Sequence, residues 1–171
     1  MEAAGAGLRF LLEQRGRHDS GLVLLCHPWE SGADDSPRWD DCCPGGFDTE
    51  RWRTEKNRLV TTIRFAGDGS PLRNPAFPVA SVGFNALVAF NAGELASVTG
   101  DDGLAAAADV LAGTLDARWD DDLGAWVDAG STAEGSGGWR TADALLPLLV
   151  TEEPARAARV VGDLLDPEAQ G

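Results

Sequence analysis

The sequence has no long hydrophobic run. Its longest apolar stretches, at 21–26 and 144–150, are far shorter than the ~20 residues that cross a bilayer. The amino terminus reads EAAG instead of a basic segment followed by an apolar one, so we expect no signal peptide. These features argue against a membrane-spanning protein, and we expect a cytoplasmic location.

Cysteine and positive charge are also scarce. Three cysteines, with Cys42 and Cys43 adjacent, do not make a disulfide framework, and they suit a reducing compartment. The chain has 14 basic and 28 acidic residues, a net charge of -14, and Lys56 is its only lysine. Such a surface repels phosphate backbones and anionic lipids, so nucleic-acid and membrane partners are disfavoured. A neutral ligand, or one bound by a local arginine, is more compatible with this acidic surface.

Helical periodicity runs through most of the chain. We predict helices over 3–15, 49–66, 81–99, 103–119, 141–150 and 154–166, with a connection at 67–79. Asp48 and either Asp101 or Asp102 are candidate helix caps, and Pro147 predicts a kink or a short break in the helix at 141–150. The residues predicted to face inward are Leu8, Leu11, Leu12, Trp52, Leu59, Ile63, Phe84, Leu87, Val88, Leu95, Leu104, Ala108, Leu111 and Leu115, with Phe65 as a further candidate. No stretch alternates with a period of two, so the expected class is all-α.

The segment CHPWESGADDSPRWDD, Cys26–Asp41, is the most unusual part of the chain. A cluster of aspartates is commonly a solvated loop, but Trp29 and Trp39 are costly to expose and bury large areas. Two tryptophans that bracket carboxylates predict a walled pocket suited to a sugar, whose apolar ring face stacks on indole while its hydroxyls donate to carboxylates. A carboxyl held against tryptophan has its pKa raised, which suits a general acid.

The run HPWESGADDSPRWD closely resembles the acid-bearing loop of glycoside hydrolase family 63, in its mannosylglycerate and glucosylglycerate hydrolase branch. VGFNALVAFNAGELASVTG and ARWDDDLGAWVD resemble the segments that follow in that family, so the resemblance covers most of 8–168. It implies an incomplete (α/α)6 toroid of helical hairpins and inverting hydrolysis of an α-glycosidic bond in a small glycoside or oligosaccharide. It implies no metal and no organic cofactor.

Carried over by position, Asp34 aligns with the general acid of the family, so we call Cys26–Asp41 the acid loop. Trp29 and Gly32 align with positions that line the sugar subsite. The resemblance gives Glu30, Asp35, Arg38 and Trp39 the roles of shaping the pocket or holding hydroxyls. Asp35 departs from the usual asparagine, and a second carboxylate beside the acid is expected to raise the pKa of the pair.

The general base of the family lies in a later half of the toroid, and no matching context is present here. We therefore expect residues 1–171 to form a single partial glycosidase domain, the acid-loop half, with little activity by itself. Exposed helix faces would then favour self-association. The other candidate carboxylates are expected to be solvated: Glu94, Glu134, Glu152 and Glu153.

Two alternatives remain beside an enzyme. Cys26, His27, Cys42 and Cys43 contain metal-ligating types, but the adjacent cysteines lack the two-residue gap of zinc sites, so structural or free cysteines are favoured. A catalytically incomplete chain could also serve as a non-catalytic carbohydrate-binding or oligomer-forming module. Sugar binding without turnover would favour that second alternative.

Overall fold

The computed structural model describes residues 2–43, 47–130 and 141–166. Within those ranges the chain is mainly helical. The α-helices are Glu2–Arg9 (α1), Thr49–Thr61 (α2), Val82–Thr99 (α3), Asp102–Asp116 (α4) and Pro154–Leu165 (α5). A π-helical turn, Phe10–Gln14, continues α1, and 3-10 segments cover Pro28–Ser31, Pro37–Cys42 and Ala142–Leu149. The all-α prediction is confirmed for the fold as a whole.

Two short antiparallel ribbons interrupt the helices, and the sequence analysis missed both. Arg64–Phe65 (β1) pairs with Pro71–Arg73 (β2), and Trp119–Asp120 (β3) pairs with Ala125–Trp126 (β4). Each ribbon contributes two or three residues per strand, which is too short to show an alternating pattern. β1 ends the second helix earlier than predicted and leaves Phe65 exposed, so the inward prediction for Phe65 is wrong.

The α3–α4 hairpin forms the centre of the larger hydrophobic cluster. Asp101 accepts a hydrogen bond from the backbone N–H of Leu104 and caps α4, as one of the two candidates predicted. The inward side of α3 is made of small residues, which lets its neighbours pack closely. The buried members of the cluster on these two helices are Val82, Ala86, Val88, Ala89, Ala92, Ala96, Leu104, Ala108, Leu111 and Leu115.

Two predicted helix interiors need correction. Leu87 is exposed, because α3 packs through its alanines and the leucine falls on the other side. Pro147 lies within a 3-10 segment, not a kinked α-helix. That segment comes so close to α3 that a Cβ at Gly83 would lie 2.9 Å from the Asp143 Cβ.

A second, more aromatic cluster lies beneath the acid loop. Trp39 and Phe77 meet edge to face, with ring centroids 5.4 Å apart. The buried members are Leu25, Trp39, Cys43, Trp52, Leu59, Phe77 and Val79, and Phe84 of α3 packs against both clusters. The acid loop therefore rests on a core that is continuous with the helical hairpin.

Among the described residues, no helix has the length and apolar character to cross a membrane.

Candidate active site

Two 3-10 turns frame the acid loop, and each begins at a proline. Pro28 starts the first and Pro37 the second, because a proline at the first helical position loses no hydrogen bond. The backbone N–H of Trp29 donates to His27 Nδ1 at 3.2 Å, and His27 Nε2 then donates to the Lys56 carbonyl at 2.9 Å. His27 is thus a buried hydrogen-bonded residue, and it links the loop to α2.

Gly32 ends the first turn in the left-handed region, at a φ of 72°. An L side chain rarely adopts this conformation, so glycine is suited to the position. A Cβ placed there would meet nothing within 4 Å, and the surface at Gly32 is therefore open.

The tryptophans have three different roles. The Trp29 ring is 54% exposed, while Trp39 is 1% exposed and belongs to the core. The prediction that both rings wall a pocket is wrong for Trp39, whose indole N–H donates to the Ala33 carbonyl at 2.7 Å and supports the loop from below. Trp52 of α2, which the sequence analysis treated only as a core residue, donates to the Asp34 carbonyl at 3.1 Å and to Asp35 Oδ1 at 3.0 Å.

Asp34 and Asp35 share one cation. Lys56 Nζ lies 3.0 Å from Asp34 Oδ2 and 2.6 Å from Asp35 Oδ1, and it also lies 5.7 Å from the centroid of the Trp52 ring. The Asp34 side chain is 39% exposed and that of Asp35 is 71% exposed, whereas Lys56 is mostly covered. The two carboxylates therefore face solvent from a platform formed by α2.

The expected rise in pKa from two adjacent carboxylates is wrong for Asp35. The hydrogen bond from Lys56, with a smaller contribution from the Trp52 indole, lowers the pKa of Asp35 below its ordinary value. Burial alone would lower the pKa of Lys56, but its hydrogen bonds to Asp35 and Asp34 outweigh that effect and raise it. Asp35 and Lys56 are accordingly both charged at neutral pH.

Glu30 turns its charge toward the protein interior. Arg15, at the end of the π-helical turn, donates to both of its oxygens at 3.0 and 2.9 Å. The backbone N–H of Cys26 donates to the same carboxylate. This bidentate pair fixes the start of the loop against the amino-terminal helix.

Arg38 is likewise engaged inside the protein. It is 4% exposed, donates to Asp128 Oδ2 at 3.1 Å and to Asp143, and stacks 4.2 Å from the centroid of the Trp39 ring. Asp128 also accepts from the backbone N–H of Val82 at the start of α3. Burial raises the pKa of Asp128, although Arg38 opposes that shift. A direct contact of Glu30 or Arg38 with sugar hydroxyls stays a prediction.

A cavity of about 370 Å³ opens beside Asp35, and Asp34 is not among its described lining residues. The described residues that line it are Asp35, Phe47, Thr49, Trp52, Arg53 and Lys56. A separate groove of about 500 Å³ lies between α3, α4 and Ala142–Leu149, and its described lining contains no acid-loop residue. Glu94 and Glu152 line that second groove, Glu153 is exposed, and Glu134 lies outside the described residues.

The cysteines do not build a reactive or metal centre in the described part of the chain. None of the three is in a disulfide within the described residues, and burial raises the pKa of Cys26 to about 11. No group of three or more histidine, cysteine, aspartate or glutamate side chains in 2–43, 47–130 and 141–166 is arranged to hold a metal ion.

Comparison with known proteins agrees with this architecture. The sequence model of the mannosylglycerate hydrolase MGH1-like glycoside hydrolase domain matches residues 2–171. The chain belongs to this family. The resemblance to glycoside hydrolase family 63 predicted from the acid loop is thereby confirmed.

Curated relatives of this glycoside hydrolase family match over a short segment. A mannosylglycerate hydrolase from Thermus thermophilus is 53% identical over 32 residues, 19% of this chain and 8% of the relative. A glucosylglycerate hydrolase from Mycolicibacterium hassiacum is 56% identical over 32 residues, 19% of this chain and 7% of the relative.

Solved structures share the fold over nearly the whole chain. A family 63 mannosylglycerate hydrolase from Thermus thermophilus, solved with glucose, has a TM-score of 0.65 and 26% identity. The match covers 91% of this chain and 41% of that one. The same enzyme solved with Tris has a TM-score of 0.67 at 23% identity, covering 92% and 45%, and supports the fold alone. The chain thus spans less than half the length of these solved relatives, and their helical toroid is the fold that it shares.

Four residues of the candidate site were not predicted as site residues. Lys56 and Trp52 lie one helical turn apart on α2, and this i, i+4 spacing was the available signal that both face the loop. Asp128 and Asp143 lie 90 and 105 residues from Arg38, and no local pattern reports such a pairing.

Proposed function

We propose that this chain carries the acid-bearing wall of a glycosidase active site and that residues 1–171 form the acid-loop part of one toroidal domain. The reaction is inverting hydrolysis of an α-glycosidic bond. The observation that carries this proposal is the solvent-facing Asp34 carboxyl on a loop fixed by Trp39, Trp52 and Lys56, in a member of a glycoside hydrolase family.

Asp34 is the proposed general acid. It transfers its proton to the glycosidic oxygen while the bond from that oxygen to the anomeric carbon breaks and its electron pair stays with the leaving group. A water molecule attacks the opposite face of the sugar and gives its proton to a base. Because an ammonium group only donates hydrogen bonds, Lys56 occupies Asp34 Oδ2, and Oδ1 is the oxygen that would carry the transferred proton.

The base must be a second carboxylate roughly 6.5–9.5 Å from the acid, so that a water fits between them. Glu30, Asp128 and Asp143 are bound to buried arginines, and Glu94 and Glu152 line the separate groove. These engagements support a base that comes from another part of the toroid or from a second polypeptide.

The substrate class is a small glycoside or oligosaccharide. The half-exposed Trp29 ring and the open backbone at Gly32 offer one apolar face and one close approach for a sugar ring. The matched relatives are named for hydrolysis of mannosylglycerate and glucosylglycerate, so mannosides and glucosides are the first compounds to test.

The test compares wild type with Asp34→Asn on glucosylglycerate and mannosylglycerate, by calorimetric titration and product assay on the same samples. We expect any wild-type turnover to fall by about 10²–10⁴-fold in the variant, the contribution of one acid group. The first sugar released should have the β configuration by proton NMR. Glu153→Gln, an exposed carboxylate outside the acid loop, is the matched control. Retained turnover in Asp34→Asn would reject the acid role, and a first product in the α configuration would reject inversion.

The second candidate function is a non-catalytic carbohydrate-binding or oligomer-forming module. Exposed apolar side chains on three helices favour it, namely Val98, Val110 and Leu165. Binding heat without product, together with a mass above one chain by light scattering, would support this function over catalysis.

A further inference from the structure

We propose that Asp35 and Lys56 are positioning residues that act as a matched charge pair, so that Asp34 keeps its proton before the reaction and releases it during the reaction. The inference rests on the proposed function, because it concerns the acid of that same site. It gives a role to two charged side chains that the proposed proton transfer does not itself use.

A single lysine beside the acid would work against the proposed reaction. Lys56 Nζ lies 3.0 Å from Asp34 Oδ2, and a cation at this distance favours the ionised form of a carboxyl group. A general acid must carry its proton when the substrate binds. An acid at Asp34 therefore needs a second group that offsets the charge of Lys56.

Asp35 supplies that offset. Its Oδ1 lies 2.6 Å from Lys56 Nζ, and the Trp52 indole N–H donates to the same oxygen at 3.0 Å. Trp52 also donates to the Asp34 carbonyl, so one indole holds both aspartates in place relative to the lysine. Because Trp52 and Lys56 lie one helical turn apart on α2, a single helix fixes the geometry of the pair.

The net charge of these side chains suits both stages of the proton transfer. With Asp34 protonated, the charges of Asp35 and Lys56 cancel, and the cluster is neutral. Once the proton has moved to the glycosidic oxygen, the new Asp34 carboxylate lies beside the ammonium group. Without Asp35, the cluster would be positive before the reaction and would favour early loss of the proton. Without Lys56, the new carboxylate would form beside another carboxylate with no cation between them.

Other charged groups of the acid loop and α2 have partners of their own. His27 uses both ring nitrogens in hydrogen bonds, with the Trp29 N–H and the Lys56 carbonyl. The other ion pairs of these two elements are Arg15–Glu30, Arg38–Asp128, Arg38–Asp143, Arg53–Glu50 and Arg58–Glu55. Within the described residues, Lys56 is the cation that forms an ion pair with Asp34. The charges of Lys56 and Asp35 are therefore the ones to change.

The experiment follows the carbon NMR resonance of Asp34 Cγ against pH in the full chain, because this resonance reports protonation without any turnover. Comparison with Asp34→Asn identifies the resonance, and circular dichroism at each pH checks the fold. Relative to wild type, Asp35→Asn should move the change in the resonance to lower pH by about half to one pH unit. Lys56→Met should move it to higher pH by a similar amount, and the double variant should return it toward wild type.

Further variants separate charge from shape. Asp35→Asn keeps an oxygen for the Trp52 N–H, so its effect reports the lost charge. Lys56→Arg keeps the cation and should stay near wild type, and it serves as the second lysine variant if Lys56→Met does not fold. Glu153→Gln and Arg64→Met each remove one exposed charge outside the acid loop and should leave the Asp34 resonance unchanged. Where wild type cleaves glucosylglycerate, the alkaline limb of kcat/KM should move in the same directions.

The possible outcomes are distinct. Shifts in opposite directions for Asp35→Asn and Lys56→Met, with Lys56→Arg near wild type, support the proposal. Shifts in the same direction, or shifts no larger than those of the two control variants, overturn the charge pair and leave the glycosidase assignment intact. Retained turnover in Asp34→Asn rejects the proposed function even where the shifts occur, and the pair then has no acid to serve.

Discussion

The α3–α4 hairpin and the acid loop are held in place by different interactions. The hairpin packs alanines and leucines from two helices that adjoin in sequence, and a single cap at Asp101 starts its second helix. The acid loop has little regular structure of its own. Buried ion pairs and side-chain to backbone hydrogen bonds hold it, and they join residues up to 105 positions apart.

The hairpin therefore contributes mainly to the stability of the chain, whereas the acid loop carries the residues of the candidate site. The hairpin gains its stability from apolar area, which tolerates exchange of one apolar residue for another of similar volume. The loop depends on particular charged and polar atoms, and removal of one leaves its partner buried without compensation. Substitutions in the two regions should therefore differ in size and in kind.

Arg38→Met should cause the largest loss in the free energy of unfolding. The change leaves Asp128 and Asp143 without their shared cation, and breaking such a buried pair costs about 3–5 kcal/mol in the free energy of unfolding. Urea unfolding followed by circular dichroism measures it.

The control for that experiment is Arg53→Met. Arg53 and Glu50 form an exposed pair on α2, and its loss should cost at most about 0.5 kcal/mol. Equal losses in both variants would show that the Arg38 cluster is no more important to stability than a surface ion pair.

In the hairpin, Leu111→Ala should be the next most damaging change. Leu111 of α4 is fully buried in the larger hydrophobic cluster, and a leucine truncated in a core costs about 2–5 kcal/mol. The neighbouring Val110 is 70% exposed, so Val110→Ala should change the free energy of unfolding by less than about 0.5 kcal/mol. A small loss for Leu111→Ala would mean that the hairpin can collapse around the missing side chain.

The hairpin could largely be predicted from the sequence. Leu104, Ala108, Leu111 and Leu115 follow the 3.6-residue period, and all four are buried. The error at Leu87 has a physical cause. The sequence analysis gave weight to large apolar residues, whereas the inward side of α3 is built from alanines that allow close helix packing.

The sequence allowed the acid loop to be recognised, but it did not allow the contacts that hold the loop to be predicted. Its residue types marked a sugar-binding chemistry, and the helix cap at Asp48 was predicted correctly. The partners of its charges could not be predicted, because the pairs Arg38–Asp128 and Arg15–Glu30 are made by tertiary packing and have no sequence period. The assignment of Asp34 as the general acid stays a prediction.

Asn74→Ala tests the hydrogen bonds that anchor the loop to α2. The buried Asn74 amide donates to the Cys26 and Leu59 carbonyls at 2.8 and 2.9 Å, and its oxygen accepts from the backbone N–H of Ala76. Leaving these groups unpaired should cost about 1–3 kcal/mol. Asn91→Ala, which loses one bond on the exposed side of α3, should cost much less. Comparable losses would indicate that water replaces Asn74.

Asp35→Asn should cause the smallest loss in the free energy of unfolding, and the size of that loss should depend on pH. Because Lys56 and Trp52 lower the pKa of Asp35, its stabilising contribution is present above the ordinary aspartate value near ~4 and is lost as pH falls through the lowered pKa. Asp35 is largely exposed, so the wild-type advantage at pH 7 should be no more than about 0.5 kcal/mol. Urea unfolding at pH 3, 5 and 7 measures it, with Glu153→Gln as the charge control. An advantage that persists unchanged to pH 3 would mean that Asp35 supports the loop through the shape of its side chain and not through its charge.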